Sequence, residues 1–339
     1  MVSYYLLLTL AISFFVSILL TPLWIKKVRS IGLVWDDMNK IKSDKIAGSG
    51  GIIVLLAFLL SSLSYVAYRT FLLDNQNGFL LEIFAILIMV TFMGFVGFID
   101  DLFGWRKGGL SMKTRILLAI FGAIPLIAIN AGRSSMSFPF VGVIDLGLLY
   151  PLLLIPLGVV ATTTTFNMLA GFNGLEAGQG VILLSSLALV SYLTGSPWLS
   201  VICMCMVFAL IGFLKYNWIP SKVFPGDSMT YAIGILISAV AIVGNFEKIA
   251  LFFYIPYIIE VVLKSRGKLK KPSFGKPLSD GSLGNLHDKM YSLNHVSIFI
   301  LNKLGIKSTE KRAVALILSF QVIIILIGLV IFKSSIFNA

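Results

Sequence analysis

The sequence predicts an all-α, polytopic integral membrane protein of about ten transmembrane helices, with both termini on the non-cytoplasmic side. Three observations predict it. The chain of 339 residues is 58% hydrophobic and only 12% charged, more apolar than a water-soluble core of that length needs. Its apolar residues fall in runs long enough to cross the hydrocarbon, which takes about 20 residues of helix. Helices also satisfy their own backbone hydrogen bonds there. Finally, the basic residues collect on alternate sides of those runs, as the positive-inside rule requires. No polar linker or repeat divides the chain, so residues 1–339 read as one transmembrane domain.

The elements follow in order. The run 4–25 has no basic n-region and no small-residue cleavage site, so it reads as a retained span and not as a cleaved signal. Apolar runs at 49–68, 80–99, 114–131 and 146–166 give spans two to five. The sixth, 180–194, is short, and every later loop would change sides without it. The seventh, 197–214, holds Cys203 and Cys205 with no His or acidic company, which reads as structural and not as a metal site or disulfide. Runs at 228–244, 247–263 and 313–332 complete the set.

Loops after the odd-numbered spans, at 26–48, 104–115, 166–179, 215–226 and 264–312, carry 23 of the 27 lysines and arginines. The opposite side has only Arg69, Arg133, Lys248 and Lys333. The five loops, four of them basic, are therefore assigned to the cytoplasm, as the active-site face. The net charge of +12 is explained by topology and by anionic lipid headgroups, not by nucleic-acid binding.

The unusual polar residues collect on that same face. GFIDD ends the third span with Asp100 and Asp101, FNMLAGFNGLEAGQ joins spans five and six, and NWIPSKVFPGDS leads into span eight. The opposite loops are short and nearly featureless, apart from Asp74, Asn75, Gln76 and Asn77. Two adjacent acids at a helix C-terminus face an unfavourable dipole and an apolar boundary, so a compensating cation is expected, with Lys113 and Arg115 near in sequence. Asp227, taken on its own, reads as a helix N-cap after the Pro225-Gly226 turn. Asn167 reads equally as a helix–helix hydrogen-bonding group, and Gly171, Gly174 and Gly178 as a tight turn or a phosphate cradle.

Carboxylate and amide oxygens suit a hard cation such as Mg²⁺, with Mn²⁺ as an alternative. Asp100, Asp101, Asn167 and Asp227 are such groups at the ends of apolar spans. Lys113, Lys215, Lys222 and the run Lys264, Arg266, Lys268, Lys270, Lys271 supply nearby positive charge. Acids that hold a metal, with bases that neutralise phosphate oxygens, are the parts of phosphoryl transfer. A site at the membrane surface suggests one substrate from water and one from the bilayer.

The strings FIDDLFGWRKGGLSMKTR, NMLAGFNGLEAGQG and KYNWIPSKVFPGDSMTYAIG resemble the polyprenyl-phosphate N-acetylhexosamine-1-phosphate transferases, glycosyltransferase family 4. The resemblance is closest to the dolichyl-phosphate branch of eukaryotes and archaea, and runs from Asp37 to the end of span eight. It implies a Mg²⁺-dependent reaction. The phosphate of dolichyl or another polyprenyl phosphate attacks the β-phosphorus of UDP-N-acetylglucosamine, and UMP leaves. The product, a lipid-diphosphate-sugar, opens the assembly of lipid-linked oligosaccharide for protein N-glycosylation. By match to the motifs, Asn167 and Asp227 would hold the metal, and Asp100 and Asp101 would position or deprotonate the lipid phosphate. Lys113 would bind phosphate, Asn173 and Glu176 would lie in the nucleotide pocket, and Asp37 and Lys40 fit the motif after span one.

The resemblance departs in the last large loop. Bacterial relatives carry a His-rich motif there and eukaryotic ones an Arg/His-Pro segment, whereas this chain reads KLKKPSFGKPLSDGSL. Lys268, Lys270 and Lys271 are candidates for the diphosphate or sugar, and His287 reads either as an ordinary loop residue or as a sugar contact. The expected location is the plasma membrane of an archaeon, or the ER membrane in a eukaryote. Oligomeric state is not encoded in any motif, and a homodimer is left open. The competing reading is a transporter or flippase, since ten spans interrupted by glycines would also suit one.

Overall fold

The computed structural model describes residues 4–42, 45–72, 78–138 and 142–337. The polar stretch Asp74–Asn77 lies outside them. Thirteen α-helices are described: α1 Tyr4–Ser30, α2 Gly51–Leu72, α3 Leu80–Lys107, α4 Met112–Ala128, α5 Ile155–Phe166, α6 Leu175–Leu193, α7 Pro197–Asn217, α8 Gly226–Val243, α9 Glu247–Phe253, α10 Ile255–Arg266, α11 Leu293–Lys303, α12 Glu310–Ile331 and α13 Lys333–Phe337. A π-helical turn, Tyr150–Leu154, leads directly into α5. Among the described residues, seven helices (α1, α2, α3, α6, α7, α8 and α12) are long and apolar enough to cross a membrane. The other three expected spans coincide with shorter or interrupted helix. These are the 17-residue α4, the run Tyr150–Phe166, and the pair α9–α10.

Each departure from the expected boundaries has a local cause. The sixth segment starts at Leu175, five residues before the apolar run, because Glu176 and Gln179 are buried in the bundle and not left in a loop. The ninth breaks at Tyr254, where Pro256 offers no N–H to continue the helix. The carbonyl of Phe253 freed there accepts a hydrogen bond from Gln321 Nε2 on α12 at 2.8 Å. Between α10 and α12, the expected loop folds into a short antiparallel ladder, Gly275–Pro277 with Leu283–Asn285, followed by α11. A second ladder pairs Val34–Trp35 with Ile46–Ala47, and a third pairs Ser135–Phe138 with Gly142–Asp145 at the opposite end of the bundle.

Helix α8 runs through the middle, with nearly every side chain from Ser228 to Ile242 buried. It packs against α3, α5 and α2. The approach to α3 is close because Gly97 has no side chain: a Cβ there would stand 2.3 Å from the carbonyl oxygen of Asp227. On the flank, α1 turns a row of small polar residues, Thr9, Ser13, Ser17 and Thr21, inward at four-residue spacing. Ser13 Oγ donates to the carbonyl of Cys205 at 2.5 Å, and Ser61 Oγ to that of Thr9 at 2.8 Å. Small residues that let backbones touch are the usual glue between helices in lipid. Both cysteines are buried and free, as a structural role requires.

Candidate active site

The ends of α3, α4, α5 and α8 meet at one end of the bundle, and the acids meet there with them. Asp100 sits near the C-terminus of α3, only 2% exposed. Its carboxylate accepts from the Leu110 N–H at 2.6 Å and from the Tyr231 hydroxyl at 2.9 Å. Arg115, in the first turn of α4, ion-pairs with it at 2.8 Å and lies 3.7 Å from Asp227. The Tyr231 hydroxyl also lies 3.3 Å from Asp227 Oδ2, because Asp227 and Tyr231 are one turn apart on α8. Two carboxylates from different helices thus share one guanidinium and one phenol.

Asp101 points the other way round α3. Its Oδ1 accepts the Asp227 N–H at 2.7 Å, and its Oδ2 faces the Ser228 N–H at 3.4 Å. These are orphan donors of the α8 N-terminus, so a carboxylate from α3 caps α8 and meets the positive end of its dipole. Asp227 is therefore not the N-cap that the Pro-Gly turn suggested: its backbone is capped by Asp101, and its side chain is released to the cavity. Gly226 makes the arrangement possible, with φ at +72° and a virtual Cβ only 2.2 Å from Asp101 Oδ2. The segment GSGG at 48–51 is stitched alongside, as Gly50 and Gly51 donate to the carbonyls of Phe224 and Pro225.

The loop between α5 and α6 closes the site from above. Asn167, at the end of α5, donates from Nδ2 to Asp227 Oδ1 at 2.9 Å. Asn173 donates from Nδ2 to Asp37 Oδ2 at 2.8 Å and from its backbone to Glu310 Oε1 at 2.8 Å. Glu310 also ion-pairs with Lys40. Glu176 takes the Gly171 N–H at 3.2 Å, and Asn39 bridges the Gly171 carbonyl and the Gly275 N–H. Asn294 holds the carbonyls of Ala170 and Ser273.

Together these groups line a cavity of about 540 Å³ that includes Asp37, Asp100, Asp101, Arg115, Asn167, Asn173, Glu176 and Asp227. A second cavity of about 330 Å³ shares Arg115, Asn167 and Gly171 with it and adds Thr164 and Lys264. A third, of about 410 Å³ and almost wholly apolar, lies along α5 and α10, from Thr165 and Val261 to Tyr150 and Glu247, and shares no lining residue with the other two. Tyr150 donates to Glu247 at its far end.

Four oxygen-bearing residues expected at one site, Asp100, Asp101, Asn167 and Asp227, are thus brought together, and Asp37, Asn173 and Glu176 join the same wall. Other expectations are redirected. Lys113 is exposed and lines none of the three cavities; Arg115 is the cation that reaches the acids. Lys40 is engaged with Glu310 and does not line the main cavity. Lys215, Lys222, Lys268, Lys270 and Lys271 are exposed and outside the cavities, whereas Lys264 lines the second one. His287 packs its ring edge-on to Tyr291 and His295, each at 5.5 Å, away from the cavities. Tyr231, Asn39, Asn294 and Glu310 were not anticipated. For Tyr231, the one-turn spacing from Asp227 is the signal; for Glu310, a Thr-Glu pair opening the last apolar helix is.

Among the described residues, no group of three or more His, Cys, Asp or Glu side chains is arranged as a metal cage. The donor set instead fits an ion that takes few protein ligands. Asp227 is 22% exposed on the cavity wall beside the Asn167 amide. Mg²⁺ is commonly held by one or two carboxylates, with water and substrate phosphates completing its shell.

The model of glycosyl transferase family 4 matches residues 83–245, the stretch that carries Asp100, Asp101, Arg115, Asn167 and Asp227. A Saccharolobus solfataricus protein is 34% identical over 327 residues, 96% of both chains, and carries a provisional form of the name UDP-N-acetylglucosamine–dolichyl-phosphate N-acetylglucosaminephosphotransferase. The Dictyostelium discoideum protein of that name is 31% identical over 261 residues, 66% of this chain and 62% of that one. A phospho-N-acetylmuramoyl-pentapeptide-transferase of Halalkalibacterium halodurans is 30% identical over 284 residues, 78% of this chain and 85% of that one.

Proposed function

The chain belongs to glycosyl transferase family 4, and on that premise we propose that it transfers N-acetylglucosamine-1-phosphate from UDP-N-acetylglucosamine to a dolichyl or other polyprenyl phosphate, releasing UMP. The observation that carries the reading is that two cavities share Arg115 and Asn167, with Asp227 on the wall of the larger. A chamber walled by acids and amides, large enough for a nucleotide sugar, adjoins a smaller one bearing Lys264, and a separate apolar cavity lies further along α5 and α10. The donor occupies the first, the lipid phosphate the second, and the prenyl chain the third. A transporter is not favoured, because the polar groups gather at one end of the bundle and not at its middle.

In the transfer, an oxygen of the lipid phosphate forms a bond to the phosphorus bearing the sugar. The bond from that phosphorus to the bridging oxygen breaks, and its electron pair leaves on UMP. A phosphate monoester is mostly ionised at neutral pH, so positioning and charge neutralisation are the main requirements. Arg115 and Lys264 supply the charge. Both Asp101 oxygens face backbone N–H groups, and Asp100 is held by Arg115, Tyr231 and Leu110, so neither acid stands free as a base. Their work is to fix α8 and Arg115. Asp227 and Asn167 would hold Mg²⁺, which when bound supplies charge neutralisation to the diphosphate. The basic loops support a cytoplasmic face for the site, and the plasma membrane is the location that goes with this reading.

The test uses purified protein with radiolabelled UDP-N-acetylglucosamine, polyprenyl phosphate and Mg²⁺. Label should enter the organic phase with one UMP released per lipid modified. Label that stays aqueous across a panel of UDP-sugars and prenols would refute the assignment.

A further inference from the structure

We infer that Glu310 is a positioning residue for the donor pocket, acting through Asn173; this rests on the transferase reading above. Glu310 opens α12, the last long helix, more than 60 residues beyond the stretch the family model matches. Its side chain is 3% exposed and does not line the cavity. One carboxylate oxygen accepts the Asn173 N–H at 2.8 Å, and the other meets the Lys40 ammonium. Asn173 in turn reaches Asp37 Oδ2, and Asp37 Oδ1 accepts the Asn39 N–H at 3.0 Å. Lys40 returns to this segment, its own N–H bonded to the Asp37 carbonyl at 3.1 Å. The links close a ring: Glu310, Asn173, Asp37 and Lys40.

The ring joins three pieces of chain far apart in sequence. They are the segment after α1, the turn between α5 and α6, and the start of α12. Asp37 and Asn173 are the members that face the cavity. Neither is fixed by its own element. Asn173 sits in a turn just ahead of Gly174, whose φ is +77°, and Asp37 sits in a loop. Glu310 is the member on a long helix, with its charge at the favourable N-terminal end of the dipole. It is therefore the anchor from which the rim of the donor chamber is registered. The acids and Arg115 are reached by separate hydrogen bonds, so loss of the anchor alters the nucleotide end and spares the lipid end.

The test compares wild type, Glu310→Ala, Glu310→Gln and Lys40→Met in detergent, reading KM for UDP-N-acetylglucosamine, KM for polyprenyl phosphate, kcat, and equilibrium binding of labelled UDP-N-acetylglucosamine. Glu310→Ala leaves a buried N–H and an ammonium without their acceptor, and should raise the donor KM and Kd roughly 10-fold, with kcat and the lipid KM within about 3-fold. Glu310→Gln keeps an oxygen for the Asn173 N–H and should recover donor affinity to within about 3-fold of wild type. Lys40→Met should fall between them. An unchanged donor KM and Kd in Glu310→Ala overturns the inference. So does an equal rise in both KM values, and so does a loss that Glu310→Gln fails to rescue. Absence of transfer by the wild type would instead count against the reaction itself, and donor binding would still decide the role of Glu310.

Discussion

Replacing Gly226 by alanine probes the contact on which the site is assembled. The added Cβ would stand 2.2 Å from Asp101 Oδ2, where nonbonded carbon and oxygen need a little over 3 Å, so the carboxylate must retreat by about 1 Å. The residue would also hold φ near +72°, a left-handed conformation costing a non-glycine residue about 1–2 kcal/mol. Retreat breaks the hydrogen bonds from Asp227 and Ser228 N–H, and with them the position of the Asp227 side chain. Misplacing a reacting constellation by about 1 Å is enough to cost roughly 100-fold in rate, so Gly226→Ala should lose about that factor in kcat/KM. Gly78 is the control: it lines none of the three cavities, and a Cβ there meets nothing within 4 Å, so Gly78→Ala should stay within about 2-fold of wild type. The assay is label transfer to lipid at matched amounts of folded protein, judged by thermal unfolding in detergent. A folded Gly226→Ala protein within 3-fold of wild type would refute the role given to the Asp101 cap.

Two further outcomes follow from charge. Arg115→Ala leaves Asp100 and Asp227 without their guanidinium and should lower kcat/KM by about 100-fold or more, whereas Lys113→Ala should stay within about 3-fold; the reverse order would return the phosphate role to Lys113. His295 is buried beneath the last ladder, and burial pushes its imidazole below the ordinary value of 6.5. The folded chain then binds fewer protons there than the unfolded one, so stability is complete above that value and falls as pH drops through it. Wild-type unfolding temperature should fall more between pH 7.5 and pH 5 than that of His295→Gln, and equal falls would contradict the assignment.

Much of the membrane architecture was legible because lipid permits few alternatives: apolar runs and the basic asymmetry are strong constraints. The acids at the end of α3 and the amide-rich loop before α6 were legible for the same reason, since polar groups at an apolar boundary stand out. Phase was not legible. Lys113 and Arg115 are two positions apart, about 200° around a helix, and which of them faces Asp100 depends on where α4 begins. Ser111 sets that start by accepting the Thr114 N–H at 3.2 Å, a cap the sequence left undecided. Glu310 is hard to read from sequence because the last apolar run begins at 313, just past the capped turn that carries it. The break at Tyr254 hid inside a run of uniform hydropathy, since hydropathy does not register the missing N–H of a single proline.

That break bears on how the protein is made. The Phe253 carbonyl is satisfied by Gln321, which emerges from the ribosome nearly seventy residues later. Until α12 is inserted, the nascent chain holds an exposed acceptor at the α9–α10 junction, which favours water or insertion machinery over lipid. Chains ending before α12 should therefore stay bound to the insertion apparatus or be degraded, whereas chains that include it should be released into the bilayer.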